Sequence, residues 1–529
     1  MSDRRFWRLL LLLLFAAQLA AILHRPLHVS HDGGMYVQAG ELLLVGKTPY
    51  VDFIDINPPL ILYLSAIPVL LGRLLPFPAI TTFLLLVWAL TLASVLATRR
   101  MLLATLPPQE HVFVEWLAAA LAAGSAGLFL TTSFGQREHL FLLGFLPFVA
   151  LRFRRWEGAA VPRGAAVAAG VVAGLFACLK PHFFLIVAAP EIYWLAIYRR
   201  RRTLLAPETI ALCATAVVYG AHFLFLPEPM KSAFLHEVLP LTARGYGTYS
   251  RPLASLLANV YIWPGILAFA AAFLLAPQRA AAAWRVIRAF GAAGLGATFV
   301  FLLQSKGWPY HAIPGDFALV AVLAMLGAQL HPLAFAADAA DGAVLRLRIP
   351  RRFVLQTIGA LTALACLAGL RFAFETNLSR QFKLLADNSV LAKIIDEHSR
   401  EGDPVLMIST EVVPAYPMLA QMSRPPGSRF FWFYWIPMVQ QGVGLPGANA
   451  AQLEARYLEQ LAQDIRTRRP PLILVAKGPC WNCPQSSTVY GYLKDKGFYE
   501  HGMYGYAERD ARAGMAIFLP RNGAAPKAN

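Results

Sequence analysis

The chain has 529 residues, of which 57% are hydrophobic and only 15% are charged, and its mean hydropathy is +0.51. These values exclude an ordinary soluble enzyme and indicate a protein that crosses a membrane many times. The net charge of +17 does not indicate a nucleic-acid partner, because most basic residues form short clusters between apolar segments and not one soluble patch.

Eleven apolar segments are predicted to span the membrane, since apolar runs of about 17–25 residues can cross a hydrocarbon layer as helices. They are residues 6–24, 79–98, 111–131, 139–152, 161–179, 183–198, 207–226, 253–276, 286–304, 310–330 and 353–371. The first segment resembles a signal peptide, but it lacks a clear small-x-small cleavage site. We therefore expect it to be retained as the first helix.

The distribution of basic residues predicts the topology. With the N-terminus in the cytoplasm and eleven crossings, every basic cluster falls on the cytoplasmic side, as the positive-inside bias requires. The clusters lie at residues 99–100, 152–155, 199–202, 279–288 and 346–352. This count requires that Pro59 to Leu75, which is broken by Pro68, does not cross, so we predict that it is an interfacial helix.

The same count places the first loop and five other polar stretches together on the outer face. These stretches are residues 131–139, 180–182, 227–251, 304–311 and everything after about residue 371. We therefore predict a polytopic all-α membrane domain over residues 1–371 and an extracytoplasmic (periplasmic) α/β domain over residues 372–529. The expected location is the cytoplasmic (inner) membrane of a bacterium.

Within residues 372–529, the apolar periodicity predicts helices near 387–400 and 450–469 and strands at 405–409, 472–476 and 516–519. The aromatic run from Arg429 to Trp435 suits a membrane interface, a lipid chain or the core of the domain itself. Cys480 and Cys483 form a CxxC pair that favours a local structural disulfide over a redox site.

The loop after the first apolar segment holds Asp32, Glu41, Asp52 and Asp55, although the whole chain has only 30 acidic residues. Carboxylates near hydrocarbon are costly unless they are paired or coordinate a cation. One interpretation is a polar active-site loop in which Asp32 takes a proton from an acceptor hydroxyl or binds a divalent cation. The alternative is a solvated loop whose acids balance the basic surface.

Basic residues mark the ends of other helices. In the block Gly135-Gln-Arg-Glu-His139, Arg137 suits a phosphate, and Glu138 and His139 suit a metal or, for Glu138, an ion pair with Arg137. Lysine–histidine pairs occur in two further outer loops, Lys180 with His182 and Lys306 with His311. Each lysine alone is typical of a side chain that snorkels to the interface, but together they predict a cationic cradle for a phosphate leaving group.

The first loop resembles the GT-C superfamily of integral-membrane glycosyltransferases, and most closely the branch with protein O-mannosyltransferases and the aminoarabinose transferase of lipid A. The matching residues are Asp32-Gly-Gly-Met-Tyr36, residues 39–46, Pro49-Tyr-Val-Asp52 and residues 55–60. A second acidic residue after the third span is also a family feature, and Glu138 occupies that position. The family often has Asp-Glu where this chain has Asp32-Gly33, so the role of the second acid could have moved to Asp52 or Asp55.

The resemblance implies transfer of a sugar from a polyprenyl-phosphate donor to a lipid, glycan or protein acceptor on the outer face, by an inverting displacement. It assigns catalysis to Asp32 and Glu138 and places Tyr36, Asp52 and Asp55 in the acceptor loop. It also assigns the donor phosphate to five basic residues, namely Arg137, Lys180, His182, Lys306 and His311. A divalent ion (Mg, Mn or Zn) would be held by Asp32, Asp55, Glu138 and His139. The expected partners are the lipid-linked sugar, the acceptor and membrane lipids, with no nucleic acid.

Two other classes stay open. A transporter or flippase for lipid-linked substrates would also place charged residues at a membrane cavity, but it would typically show paired halves with interrupted helices. A non-catalytic membrane subunit would tolerate the loss of Asp32 and Glu138.

Overall fold

The computed structural model describes residues 3–130, 133–258, 262–274, 282–336, 389–484 and 487–521. Contacts between Cα atoms divide the chain into two compact units. The helical unit comprises Met1–His24, Leu85–Gly220 and Arg251–Ser379, and the mixed unit comprises Arg25–Leu84, Ala221–Ser250 and Arg380–Asn529. The acidic first loop thus clusters with the C-terminal residues, a division that differs from a simple cut at residue 371.

The first 336 residues are almost entirely helical. The helices are α1 Asp3–His24, α2 His31–Leu44, α3 Leu60–Gly72, α4 Ala79–Leu103, α5 His111–Leu130, α6 Arg137–Trp156, α7 Arg163–Ala177, α8 Phe183–Tyr198, α9 Pro207–His222, α10 Glu228–Ala233, α11 Leu239–Gly245, α12 Leu253–Leu257, α13 Ile262–Leu274, α14 Ala282–Gln304 and α15 Ile313–Ala336. Short 3-10 and π turns join several of them.

Among the described residues, six helical segments are long and apolar enough to cross a membrane: Arg5–His24, Ala79–Leu103, Pro108–Leu130, Pro207–Phe225, Ala282–Gln304 and Pro309–Ala328. Each predicted span from 6–24 to 310–330 contains a helix, whereas the predicted span 353–371 lies outside the described residues. The count of eleven therefore stays a prediction. α3 has 13 residues, the same length as α13 in the predicted span 253–276, so its interfacial position also stays a prediction.

α6 forms the centre of the helical unit, because nearly all of its side chains are buried, including those of Arg137, Glu138 and Arg152. Its 20 residues rise about 30 Å, so the two ends of α6 are separated by roughly the thickness of a hydrocarbon layer. Arg137 and Glu138 lie at one end of α6 and Arg152 lies near the other.

The end of α6 near Arg152 contacts several segments that are far apart in sequence. Arg152 binds Glu191 at 2.6 Å and Glu208 at 2.9 Å. It also donates to the carbonyl oxygen of Thr203 at 3.0 Å. Arg154 donates to the carbonyl oxygen of Ala104 at 2.8 Å, and Arg285 binds Glu157 at 2.7 Å. Residues next to the predicted basic clusters 99–100 and 199–202, and Arg285 of the predicted cluster 279–288, therefore lie at the end of α6 that carries the cluster 152–155. Arg279 and residues 346–352 lie outside the described residues.

The mixed unit is built on a four-stranded sheet of order β1-β2-β4-β3. Its strands are β1 Val405–Ile408, β2 Leu472–Ala476, β3 Tyr506–Arg512 and β4 Met515–Pro520. β1 and β2 pair in parallel, with Val405 opposite Leu472, and both are continuous apolar runs of the kind that a sheet buries on two faces. β4 pairs antiparallel with β2 and β3.

Three of the four strands and both long helices of this region agree with the sequence prediction. The helices are α16 Val390–His398, α17 Ala415–Gln421, α18 Trp435–Gln440, α19 Ala450–Arg468, α20 Val489–Asp495 and α21 Phe498–His501. β3 was missed because its sequence, YAERDAR, is polar and its side chains are mostly exposed at the edge of the sheet. The start of the predicted helix 387–400 lies outside the described residues.

The aromatic run proves to be core of the mixed unit, and not a surface for lipid. Its six aromatic side chains are buried, namely Phe430, Phe431, Trp432, Phe433, Tyr434 and Trp435. Arg429 at its start binds Asp464 of α19 with its backbone N–H at 2.7 Å and with its guanidinium at 2.9 Å. Cys480 and Cys483 are joined by a disulfide, as predicted.

Candidate functional site

The N-terminus of α6 is placed by a sharp turn after α5. Gly135 has φ +80°, a conformation that a glycine adopts without steric cost, and Gln136 donates its backbone N–H to the carbonyl oxygen of Ser133 at 3.2 Å. α6 then starts at Arg137, so Arg137 and Glu138 occupy its first turn. The first turn of a helix carries partial positive charge, which favours anions at this end.

Glu138 is fully buried and is the centre of the site in the helical unit. Lys180 donates a hydrogen bond from Nζ to Glu138 Oε1. His311 Nε2 lies 3.9 Å from the same carboxylate oxygen, and Lys180 Nζ lies 5.4 Å from the centre of the Tyr310 ring. Three segments that are distant in sequence thus meet here; we call the set of Glu138, Lys180, Tyr310 and His311 the Glu138 cluster.

Three further predicted residues surround the Glu138 cluster. Arg137, His182 and Lys306 all lie close enough to the His311 ring to interact with it electrostatically. Burial, together with the charges of Lys180 and Arg137, lowers the pKa of His182 to about 3, so this ring is neutral at pH 7. Burial lowers the pKa of Lys306 to about 8.

The lysines are directed into the protein. Lys180 is 8% exposed and Lys306 is 5% exposed, so neither snorkels to the surface of the unit. The cationic side chains of the cradle are therefore Arg137, Lys180 and Lys306, whereas His182 serves as a neutral hydrogen-bonding group.

Three buried polar atoms of this region have no hydrogen-bond partner among the described residues: Glu138 Oε2, His182 Nε2 and His311 Nδ1. Leaving a buried polar atom unsatisfied costs about 1–3 kcal/mol. Three such atoms around one buried carboxylate indicate a site that is completed by a ligand.

His139 has a different role from the metal ligand that was predicted. Its Nδ1 accepts a hydrogen bond from the backbone N–H of Gly135 at 3.1 Å, and its Nε2 lies 3.3 Å from Ser125 Oγ. The ring packs between Phe134 and Phe317. Both nitrogens thus contact protein groups, and His139 stabilises the turn that places Glu138.

Sequence patterns do not indicate two further residues of this region, Tyr310 and Gln136. Tyr310 lies inside the block 306–311, and its ring contacts the ammonium of Lys180. Gln136 precedes α6, is 2% exposed, and its Oε1 has no hydrogen-bond partner among the described residues. Each is adjacent in sequence to a predicted site residue, Arg137 or His311, and this was the only sign of its position. An aromatic or an amide side chain alone does not indicate a phosphate site.

A small apolar cavity lies one helical turn further along α6 from Glu138. It has a volume of about 10 Å³, enough for about one water molecule, and is lined by Leu142, Phe145, Leu146, Ile186, Phe290, Ala293, Pro314, Phe317 and Ala318. A buried cationic site therefore borders an apolar space within the helical unit.

In the mixed unit, α2 carries Asp32 in its first turn. The hydroxyl of Ser30 caps the helix by accepting the backbone N–H of Gly33 at 2.9 Å. Asp32 is 6% exposed, and its Oδ1 lies 3.4 Å from His31 Nε2. The helix start thus holds a buried carboxylate at the positive end of the helix dipole.

Tyr36 follows Asp32 by one helical turn, so the two side chains share one face of α2. Asn57 donates from Nδ2 to the Tyr36 hydroxyl at 2.9 Å and to Asp55 Oδ2 at 3.1 Å. Asp55 is 1% exposed. Tyr36 and Asp55 are therefore joined through Asn57.

Asp52 is engaged elsewhere. Its Oδ2 accepts the backbone N–H of Thr48 at 2.8 Å, and its carbonyl oxygen accepts a hydrogen bond from Arg468 at 2.8 Å. These contacts stabilise the turn at residues 48–53 and join it to α19. Of the two acids that were predicted as alternatives, Asp55 is the one linked to Tyr36.

The described residues contain no group of three or more His, Cys, Asp or Glu side chains that could hold a metal ion. Glu138 pairs with Lys180, and His139 contacts protein groups with both nitrogens. This donor set does not fit a resident divalent ion, so no chemical step below is routed through one.

The comparisons with known proteins agree with the resemblance seen in the first loop. The model of glycosyltransferase family 87 matches residues 56–306, which is just under half of the chain. No curated protein matches the chain significantly in sequence.

Two solved structures align with the chain, and the first of them shares its fold. ArnT from Cupriavidus metallidurans, bound to undecaprenyl phosphate, aligns with a TM-score of 0.54 and 14% identity over 96% of this chain and 97% of ArnT. The Archaeoglobus fulgidus oligosaccharyltransferase, tethered with an acceptor peptide, aligns with a TM-score of 0.39 and 12% identity over 85% of this chain and 65% of that one. The match to glycosyltransferase family 87 and the fold shared with ArnT confirm the resemblance to the GT-C superfamily of integral-membrane glycosyltransferases.

Proposed function

We propose that the protein transfers a sugar from a polyprenyl-phosphate donor to an acceptor hydroxyl at the outer face of the membrane. The observation that carries this proposal is the buried Glu138 cluster, in which cationic side chains and unsatisfied polar atoms converge at the N-terminus of α6. Such a site suits an anionic oxygen group.

The donor phosphate is assigned to Arg137, Lys180 and Lys306, with His182 and His311 as hydrogen-bonding groups. When the sugar–phosphate bond breaks, the phosphate diester becomes a phosphate monoester and gains negative charge. Buried cations stabilise that charge more strongly in the transition state than in the ground state, which is the requirement for catalysis. The undecaprenyl phosphate bound to ArnT supports this choice of lipid.

Asp32 is assigned as the base. The acceptor oxygen attacks the anomeric carbon, the bond from that carbon to the phosphate oxygen breaks, and the hydroxyl proton passes to the Asp32 carboxylate. One displacement of this kind inverts the anomeric configuration. The burial of Asp32 and its position in the first turn of α2 support the assignment. Tyr36 and Asp55, linked through Asn57, are proposed to orient the acceptor.

The proposed orientation places the Glu138 cluster and the α/β domain (residues 372–529) outside the cytoplasm. The grouping of the basic clusters at the opposite end of α6 supports this orientation, because positive residues are retained on the cytoplasmic side. A transporter would place its charges near the middle of the membrane, whereas Glu138 lies at a helix end.

The test is sugar transfer from radiolabelled polyprenyl-phosphate sugars to a membrane extract, with the purified protein in liposomes. Asp32→Asn should abolish transfer while lipid binding persists, and Asp52→Asn, which alters a turn carboxylate of the same loop, is the matched control. Addition of a chelator tests the predicted dependence on a divalent ion. Equal transfer by wild type and Asp32→Asn would show that Asp32 is not the base. Lipid flipping without transfer would establish a transporter instead.

A further inference from the structure

The two faces of α2 have different partners within the mixed unit. Asp32 and Tyr36 are four residues apart and share one face, and Gly34 and Gln38 share another. Because a step of two residues turns an α-helix by about 200°, the second face is opposite to the first. The second face packs against α17, which belongs to the C-terminal part of the chain.

At Gly34 the backbone of α2 lies very close to Pro417 of α17. A Cβ atom at Gly34 would come within 2.9 Å of the Pro417 Cβ and 3.0 Å of its Cα. Any larger residue at this position would push α17 away from the helix. α2 and α17 are therefore matched at this point of contact.

The side chain of Gln38 forms two hydrogen bonds with the C-terminal part of the chain. Tyr416 donates its hydroxyl hydrogen to Gln38 Oε1 at 2.6 Å, and Gln38 Nε2 donates to the carbonyl oxygen of Arg424 at 2.7 Å. Gln38 is 2% exposed and Tyr416 is fully buried. Removing one partner of a buried hydrogen bond destabilises the protein, because the other partner is left buried and unsatisfied.

The C-terminal partners are themselves fixed. Arg424 binds Ser399 at 2.9 Å and Asp396 at 3.0 Å. In addition, Gln421 donates from Nε2 to the carbonyl oxygen of Leu27, just before α2, at 2.8 Å. A continuous set of contacts thus connects α16, through residues 416–424, to the face of α2 that carries Gln38.

We propose that Gln38 is a positioning residue through which the C-terminal part of the chain fixes α2 and thereby holds Asp32 and Tyr36 on its opposite face. The C-terminal part then acts on the reaction without contacting substrate at this point. The catalytic consequence rests on the proposed function, whereas the fixing of α2 does not. A displacement of about 1 Å at a reacting group can lower a rate by about two orders of magnitude.

The test uses Gln38→Met, which keeps the length of the side chain and removes its polar atoms, and Tyr416→Phe, which removes one hydroxyl. The control is Tyr492→Phe, which removes the buried hydroxyl hydrogen bond to Glu454 (2.7 Å), away from α2. Amide hydrogen exchange of residues 31–44 in the full-length protein is expected to accelerate about tenfold in both test variants and not in the control. The double variant should show no more than the larger single effect, because both remove the same hydrogen bond.

Activity gives an independent measurement. The kcat of Gln38→Met and Tyr416→Phe is expected to fall about tenfold while the KM for the lipid donor is unchanged, because the donor phosphate is assigned to other residues. Unchanged exchange in α2, or equal acceleration in the Tyr492→Phe control, would overturn the proposal. If the wild-type protein transfers no sugar, the proposed function fails, and the exchange measurement still decides whether Gln38 fixes α2.

Discussion

Lys180 donates a hydrogen bond from Nζ to Oε1 of Glu138, and both side chains are buried within the helical unit. Lys180 lies between α7 and α8 and Glu138 lies in the first turn of α6, so this pair joins two helix ends. In the proposed function the pair separates two roles: the lysine supplies positive charge for a phosphate, and the carboxylate holds the lysine in place.

The two members of this pair should therefore respond differently to substitution. Glu138→Gln keeps the charge of Lys180 but holds the ammonium less firmly in place, so binding of polyprenyl phosphate is expected to persist while transfer falls by about two orders of magnitude. Lys180→Met leaves the Glu138 carboxylate buried without its cation, so lipid binding is expected to be lost and stability to fall by about 3 kcal/mol. Lipid binding, transfer rate and thermal unfolding measure the three effects. Equal loss of lipid binding in both variants would contradict the separation of roles.

The lowered pKa of Lys306 predicts that kcat/KM for the donor depends on pH. Burial lowers the pKa of Lys306 to about 8, so the side chain is charged below that pH and becomes neutral above it. Since the charged form binds phosphate, kcat/KM for the donor is expected to fall as the pH rises through about 8. Lys306→Arg keeps its charge at high pH, so its profile should stay flat across this range. A wild-type profile that is flat from pH 7 to 9 would exclude Lys306 from donor binding.

The hydrogen bonds of Asn57 predict an effect on the acceptor. Asn57→Ala removes the link between Tyr36 and Asp55, so the KM for the acceptor is expected to rise about tenfold with little change in the KM for the donor. Steady-state kinetics with each substrate varied in turn measure both constants. A rise in the KM for the donor alone would assign this network to the lipid instead.

Arg152 gives a stability prediction at the opposite end of α6. It is fully buried and binds Glu191 and Glu208. Arg152→Met leaves both carboxylates without this cation, although Arg155 still contacts Glu208 at 3.0 Å, so unfolding free energy is expected to fall by about 3–5 kcal/mol. Donor KM in the folded fraction should not change. A change in donor KM equal to that of Lys180→Met would show that the two ends of α6 are coupled.

The disulfide between Cys480 and Cys483 closes a short loop that other contacts also hold. Trp481 donates its backbone N–H to Thr410 Oγ1 at 3.0 Å, and Asn482 donates from Nδ2 to the carbonyl oxygen of Thr248 at 2.8 Å. Reduction, or the double substitution Cys480→Ser and Cys483→Ser, is therefore expected to lower stability by no more than about 2 kcal/mol and to leave transfer unchanged. Loss of transfer on reduction would indicate a redox role.

Sequence patterns predicted the elements with strong apolar signals. The long apolar runs gave helices, and β1, β2 and β4 were recognised as short apolar segments. β3 was missed because an exposed edge strand carries no such signal. The aromatic run 429–435 was left open between a surface and a core, because composition is the same in both cases and only its burial decides.

The sequence by itself indicated a polytopic membrane protein whose first loop resembles the GT-C superfamily, because apolar run length, basic clusters and the acidic first loop are local patterns in the chain. It also indicated most of the charged residues around Glu138. The tertiary structure decided which of them meet: Lys180 and His311 reach Glu138, while His139 and Asp52 stabilise turns. It also decided that the back of α2 is held by residues near 420. The physical reason is that hydrogen bonds and ion pairs between side chains depend on distances of a few ångströms, which only the packing of distant segments sets.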